Sequence, residues 1–269
     1  MGKDNLGDRM KLYEQATAGQ KLMPLLPICV RLDGKNFSKI TRDLIRPFDH
    51  RFHEVMRYTV FRLVKESNAV VGYTQSDEIS LILYKDKIDS QLFFDGKVQK
   101  LTSVLASMAT LFFKEAVRYF LPELGNTMSF FDCRVWNVPT LEEAVNTLVW
   151  REQDATKNSV SMAARHYFPH RRLQNQTCAE MQEMLFSAGV NWNDYPSGFK
   201  RGSYCMRRKV ATKFTAQELE ALPEKHHARQ NPELTITRSM VKIVDLPPIC
   251  KIKNRVDFFF HGATMEADK

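Results

Sequence analysis

Two short segments constrain this chain more than any other feature: ICVRLDGKNF at residues 28–37 and VVGYTQSDEISLILY at 70–84. Each is an apolar, β-branched run that reads as a buried strand and meets acids at its mouth, Asp33 in the first and Asp77 with Glu78 in the second. A carboxylate in that position is costly to desolvate unless a cation meets it. Mg²⁺, which takes hard oxygen ligands and leaves positions open for phosphate oxygens, is the usual partner. Asp33 and Asp77 are the expected ligands of two such ions, a pair that activates an attacking hydroxyl and stabilises a leaving oxygen. Glu78 follows Asp77 directly, and neighbours on a strand point to opposite faces, so it is read either as a further metal-site acid or as a support from behind. The competing reading makes all three turn-capping acids exposed to water.

The spacing of apolar residues orders the rest of the first half. A strand at about 27–33 precedes HRFHEVMRYTVFRLVKESN, where Phe52, Val55, Met56, Val60, Leu63 and Val64 keep helical spacing. Strands at 69–74 and 78–84 flank the turn Gln75, Ser76, Asp77 and form a hairpin. A second helix opens after Asp95 and Gly96 and is stopped by Pro122, and MSFFDCRVWNV supplies a last strand. The order β-α-β-β-α-β predicts an α/β (α+β) fold with a palm-like, ferredoxin-type antiparallel sheet. In that topology the third strand lies between the first and second, so Asp33 and Asp77 converge. Residues 1–138 are read as the palm-like catalytic core and 139–269 as a mostly helical extension, with strands at 204–214 and 233–244, packed on it as one unit.

Composition limits the partners. Among 269 residues, Lys and Arg number 39 against 31 Asp and Glu, a net charge of +8, and the pI is near 9.2. Such a surplus favours polyanions, nucleic acid first, although a merely soluble basic protein has the same balance. Five cysteines, none in a C-x-x-C pattern, indicate neither a disulfide framework nor a zinc site. No apolar run approaches the ~20 residues of a membrane span. Asp4, Asp8 and Glu14 argue against a transit peptide, and Leu6 against myristoylation, so a cytoplasmic location without membrane association is expected.

Individual candidates surround the acids. Gly34, Lys35, Asn36 and Phe37, with Ser38 beyond them, form a loop able to aim backbone N–H groups at a triphosphate, and Gly34 lets its own carbonyl approach a metal. The same D-G-K-N is equally an ordinary turn. Ser76 either donates to a phosphate or serves its turn. Lys97 and Lys100, one turn apart at a helix start, either hold a phosphate or are simply solvated. Arg31 and Arg134 flank the sheet edge and Arg46 precedes the first helix; each is divided between phosphate contact and surface ion pairing. Lys200, Arg201 and the runs Arg171–Arg172 and Arg207–Lys209 are read as an RNA-facing surface or as solvated faces. The histidines show no ligand spacing.

Together, V-R-L-D-G-K-N-F (30–37), G-Y-T-Q-S-D-E-I-S (72–80), F-D-C-R-V (131–135), W-R-E-Q-D-A (150–155) and N-W-N-D-Y-P with F-K-R-G (191–202) closely resemble the tRNA(His) guanylyltransferase family of 3′-to-5′ nucleotide polymerases. The resemblance implies a palm core with two Mg²⁺ ions held by Asp33, the Gly34 carbonyl and Asp77, with Glu78 as a further acid. It implies ATP and GTP or other nucleoside triphosphates as substrates, tRNA as partner, Lys97 and Lys100 on a triphosphate, and a homotetramer. Arg46-Pro47-Phe48-Asp49 stands where histidine-specific members carry K-P-N-D, which makes Arg46 and Asp49 tRNA-facing candidates. Those members also carry H-I-N-N-L-Y-N where Thr156–Met162 stands here, and Asn158 alone is kept at the first Asn. This departure resembles the guanylyltransferase-like branch, which repairs tRNAs lacking 5′ nucleotides by copying the opposing strand. The alternatives are a dedicated tRNA(His) guanylyltransferase adding G at position −1, an RRM-like RNA-binding module of the same topology, and a palm-type nucleotide cyclase. Strand 78–84 offers an RRM only Tyr84, at its end.

Overall fold

The computed structural model describes residues 6–90, 92–231 and 233–267; Asp4, weighed above against a targeting peptide, lies outside the described residues. Strands β1 (Ile28–Lys35), β2 (Val71–Gln75), β3 (Glu78–Leu83) and β4 (Phe130–Asn137) form the expected antiparallel set, with β3 between β1 and β2. Two strands from the second half, β5 (Ser203–Lys213) and β6 (Thr235–Val244), extend it to the order β4-β1-β3-β2-β5-β6. These are the two strands expected at 204–214 and 233–244 in an otherwise mostly helical second half, and they are the longest of the sheet.

Strand alternation divides the core. Ile28, Val30 and Leu32 of β1 and Ile79, Leu81 and Leu83 of β3 face one side, where helices α3 (His50–Ser67) and α4 (Val98–Phe120) cover them through Val60, Leu63, Leu105 and Phe113. Cys29 and Ile82 face the other, beneath α5 (Leu141–Tyr167) and the C-terminal segment carrying Ile249, Ile252 and Phe259. Full burial of each large apolar side chain contributes about 1.5–3 kcal/mol, so a sheet covered on both faces is the stable solution for strands this apolar. Gly72 is the point of closest approach: a Cβ there would lie 2.6 Å from Val64 Cγ2 and 2.7 Å from Val60 Cγ2, so only glycine lets α3 settle on β2.

Two further helices precede α3 in the chain. The first, α1 (Leu6–Ala18), buries none of its residues, and its weak apolar pattern gave no signal; α2 (Phe37–Ile40) follows β1 directly. Later in the chain come α6 (His170–Leu173), α7 (Cys178–Ser187) and α8 (Ser197–Arg201).

Three polar groups hold the second half together, and one of them, Arg207, also ties it to the first. Glu152, on α5 and 4% exposed, accepts from the Tyr204 hydroxyl at 2.8 Å and from the Ile249 amide at 2.9 Å. Arg207 donates to the carbonyls of Val64 (2.6 Å), Lys65 (3.0 Å) and Ala69 (3.2 Å), closing the C-terminus of α3. Arg208 donates to the carbonyls of Phe258 and, at 3.1 Å, Phe259. These two arginines are not the RNA-facing run that charge patterning suggested, because helix-end carbonyls occupy their donors.

Candidate active site

The chain direction alone brings the acids together. β1 ends and β3 begins at the same edge of the sheet, where Asp33 stands opposite Glu78 in register, and Asp77 sits in the turn between β2 and β3. The Gly34 amide donates to the Asp77 carbonyl at 3.1 Å, pinning that turn to the exit of β1, while Ser76 takes a left-handed conformation (φ 53°) to complete it. Burial, and then the charges of Asp33 and Glu78, push the Asp77 carboxyl up to about 6, against hydrogen bonds from its own amide and from Ser76. Burial and neighbouring acids thus disfavour its ionised form, and a cation beside it would offset that penalty.

Glu78 faces the same side as α5 and is gripped there. Arg151 donates from Nε to Glu78 Oε1 at 2.5 Å and from Nη2 to Oε2 at 2.9 Å, and Nη2 also reaches Asp154 at 3.0 Å. Both Glu78 oxygens thus have a cationic partner from the protein, whereas Asp33 and Asp77 form no ion pair among the described residues. Among the described residues no three His, Cys, Asp or Glu side chains form a metal-holding cluster. Two carboxylates beside a backbone carbonyl, with other positions left to water and phosphate, are an all-oxygen donor set that fits Mg²⁺.

A cavity of about 720 Å³ opens over these acids. Its floor is Asp33, Tyr73 and the turn Gln75–Glu78, and its rim is Arg46 and Pro47. One face of α5 forms its wall with Arg151, Ala155, Asn158, Met162, Arg165 and His166. These recur at helical spacing, and that periodicity is the signal by which Arg151, Arg165 and His166 were legible and were missed. A narrower cavity of about 320 Å³ shares Arg46, Pro47, Gln75, Ser76, Asp77 and Met162 with the first and continues into Phe48, Phe52, His53 and Phe199. A polar chamber thus joins an aromatic one across Asp77.

The other sequence candidates separate clearly. Lys35 at the end of β1, Asn36 (left-handed, φ 62°) after it and Ser38 in α2 are exposed. The Phe37 ring is in the core, edge-on to Phe113 at 5.0 Å and near Phe131 at 5.2 Å, so it anchors the start of α2, and it also lines the narrow cavity. Asn158 lines the large cavity, and Arg46, which donates to the Thr41 carbonyl at 2.9 Å, lines both. Arg31 stands on the α5 face of β1 opposite Arg134 of β4, whose guanidinium lies 3.5 Å from Asp132.

Four expectations are corrected. Asp49 is buried as the N-cap of α3, accepting from Arg51 and from the Ile45 amide at 3.2 Å, so it borders the narrow cavity and not an RNA-facing surface. Lys200 donates to the Asn193 carbonyl and lies 5.5 Å over the Trp192 ring, so it belongs to the packing of α8, where the carbonyl of the next residue, Arg201, accepts from Tyr73 at 2.7 Å. Lys97 and Lys100 begin α4 at the end of the sheet remote from Asp77. Phe113, beside Phe37, is sixteen residues further along that helix, which is about 24 Å. Lys97 instead pairs with Lys21 in a short bridge, so neither lysine reaches the acids of its own chain.

A palm-like sheet carrying paired acids beneath a nucleotide-sized cavity defines the class as phosphoryl-transfer enzymes of the nucleotidyltransferase kind. Residues 7–139 match the family model for Thg1, tRNAHis guanylyltransferase. A bacterial tRNA(His) guanylyltransferase (Thg1)-like protein solved in complex with ATP shares 40% identity at a TM-score of 0.71, covering 75% of this chain and 88% of that one. Another structure of that description, in complex with GTP, shares 33% identity at 0.69 over 92% of this chain and 95% of that one. The tRNA(His) guanylyltransferase of Saccharomyces cerevisiae shares 27% at 0.62, covering 69% and 87%. The chain belongs to the tRNA(His) guanylyltransferase family and is a nucleotidyltransferase.

Proposed function

We propose that this enzyme adds templated nucleotides to the 5′ end of truncated tRNA, working in the 3′-to-5′ direction. In the first step an oxygen of the tRNA 5′-monophosphate attacks the α-phosphorus of ATP and pyrophosphate leaves. In the second, the 3′-hydroxyl of an incoming nucleoside triphosphate attacks the activated 5′ phosphorus and AMP leaves. Watson–Crick pairing with the opposing acceptor strand selects the base. One observation carries the choice of repair over guanylate addition to histidine tRNA: Ser161 and Met162, which stand where H-I-N-N-L-Y-N has Tyr and Asn, line the cavity over the acids. The departure therefore faces substrate.

Asp33, the Gly34 carbonyl and Asp77 are the groups to hold two Mg²⁺ ions, which, when bound, polarise the attacked phosphorus and ease ionisation of the attacking hydroxyl. Glu78 supports them through Arg151. Arg165 and His166 face the cavity from α5 and suit phosphate oxygens, and the narrower cavity, walled by Phe48 and Phe199, suits a nucleobase. The lysines at the start of α4 serve a triphosphate only in the site of a neighbouring chain, which accords with a homotetramer.

The test incubates the protein with Mg²⁺, ATP, all four nucleotides and a 5′-monophosphorylated tRNA lacking its first nucleotide, then sequences the 5′ end. Restoration of the templated nucleotide, stopping at full length, is expected, and Asp33→Ala is expected to lose both adenylylation and addition. Guanylate gained only by intact histidine tRNA would replace repair with the dedicated activity.

A further inference from the structure

The chain has three tryptophans, and two are accounted for by packing. Trp192 is 9% exposed and donates from Nε1 to Ser159 at 3.2 Å, and Trp136 packs against the core beneath α5. Trp150 is 51% exposed, although it sits beside the residue that grips Glu78. Arg31 lies 5.7 Å and Arg151 4.5 Å from its ring. Arg151 is fixed by Glu78 and Asp154, and Arg31 stands two residues before Asp33 on β1, about 7 Å along the strand. Arg134, paired with Arg31 in the β1–β4 register, extends the cationic strip to the exposed edge of the sheet.

We infer that Trp150 is a stacking platform for an unpaired base of the tRNA acceptor end. An exposed indole among guanidinium groups is the combination on which single-stranded bases stack while their phosphates are neutralised. A duplex hides its base faces, but a tRNA lacking 5′ nucleotides leaves the opposing nucleotides unpaired, and these are the bases a platform beside Asp33 can take. This inference rests on the proposed repair of truncated tRNA and names the part of that substrate the surface holds.

The test uses the full chain and its Trp150→Phe and Trp150→Ala variants, with 5′-truncated tRNA as the probe and no nucleotide present. Truncated tRNA is expected to quench the wild-type tryptophan fluorescence, and Trp150→Phe to lose that quenching while keeping its affinity. Trp150→Ala is expected to bind the tRNA about fivefold or more weakly, with ATP affinity and the urea midpoint unchanged. Wild-type tRNA affinity in Trp150→Ala overturns the inference. So does a parallel loss of ATP affinity, which would make Trp150 a brace for Arg151. Nucleotide addition by the wild type, assayed on the same preparation, separates a failure of this inference from a failure of the repair reading.

Discussion

Arg151 holds both oxygens of Glu78, at 2.5 and 2.9 Å, and this one contact ties the helix that walls the cavity to the strand that leads away from its acids. The pair is mostly buried, with side-chain exposures of 11% and 17%, so removing one partner strands the other's charge. Glu78→Gln is expected to lower kcat roughly 10- to 100-fold, as losing a supporting residue does, while Asp33→Ala and Asp77→Ala abolish turnover. Steady-state kinetics on the three variants decide the matter; an equal loss in all three would put Glu78 on the metal itself.

Lys97 and Lys100 stand about 24 and 20 Å of helix away from Phe113, which packs on Phe37 just after β1, so their part in catalysis depends on a second chain. A Lys97→Ala/Lys100→Ala chain and an Asp77→Ala chain, each inactive alone, are expected to regain activity when assembled together. Sedimentation of the mixture checks that mixed oligomers form, and absence of recovery in such oligomers would exclude the shared site.

Burial pushes the His53 imidazole down to about 4, with Arg57 adding to the effect; its Nε2 lies 3.2 Å from the Ser203 hydroxyl. The folded state therefore holds this histidine neutral, whereas the unfolded chain protonates it near pH 6.5. Its contribution is fully present above pH 6.5 and is lost as pH falls from there through 4. Between pH 7 and pH 5 the loss from this group is about 2 kcal/mol by linkage. Urea unfolding at the two pH values is expected to show it, and His53→Gln to diminish it.

Arg207 spends its donors on three carbonyls and on the Ser239 hydroxyl at 3.0 Å, none of them near the acids. Arg207→Ala is expected to destabilise the fold by about 2–4 kcal/mol, because buried helix-end carbonyls lose a charged partner. Activity at 25 °C is expected to persist. A matching loss of nucleotide addition at full occupancy of the folded state would restore Arg207 to the substrate surface.

The sequence was most informative where one residue's position followed from local periodicity. Alternation in Ile28–Leu32 and Ile79–Leu83, the hairpin turn at Gln75–Asp77 and the βαββαβ order were enough to place Asp33 beside Asp77, because strand pairing in that topology leaves them one edge to share. Charge was the poorest guide. Arg207, Arg208, Lys200 and Asp49 looked like surface groups in the sequence, yet each satisfies backbone atoms that only the packed chain brings near.

By itself, then, the order of residues determined the palm-like sheet and its two converging acids, which arise from periods of two and about four residues along the chain, and it carried the motifs of the family resemblance. Tertiary structure decided the rest: that Glu78 belongs to Arg151, that α5 presents Asn158, Arg165 and His166 to the cavity, and that β5 and β6 continue the sheet. It also carried Lys97 and Lys100 to the far end, because a 23-residue helix returning along the sheet starts where β3 finishes. Contacts between residues some seventy positions apart, such as Glu78 with Arg151, depend on how the layers stack, and no local period records that.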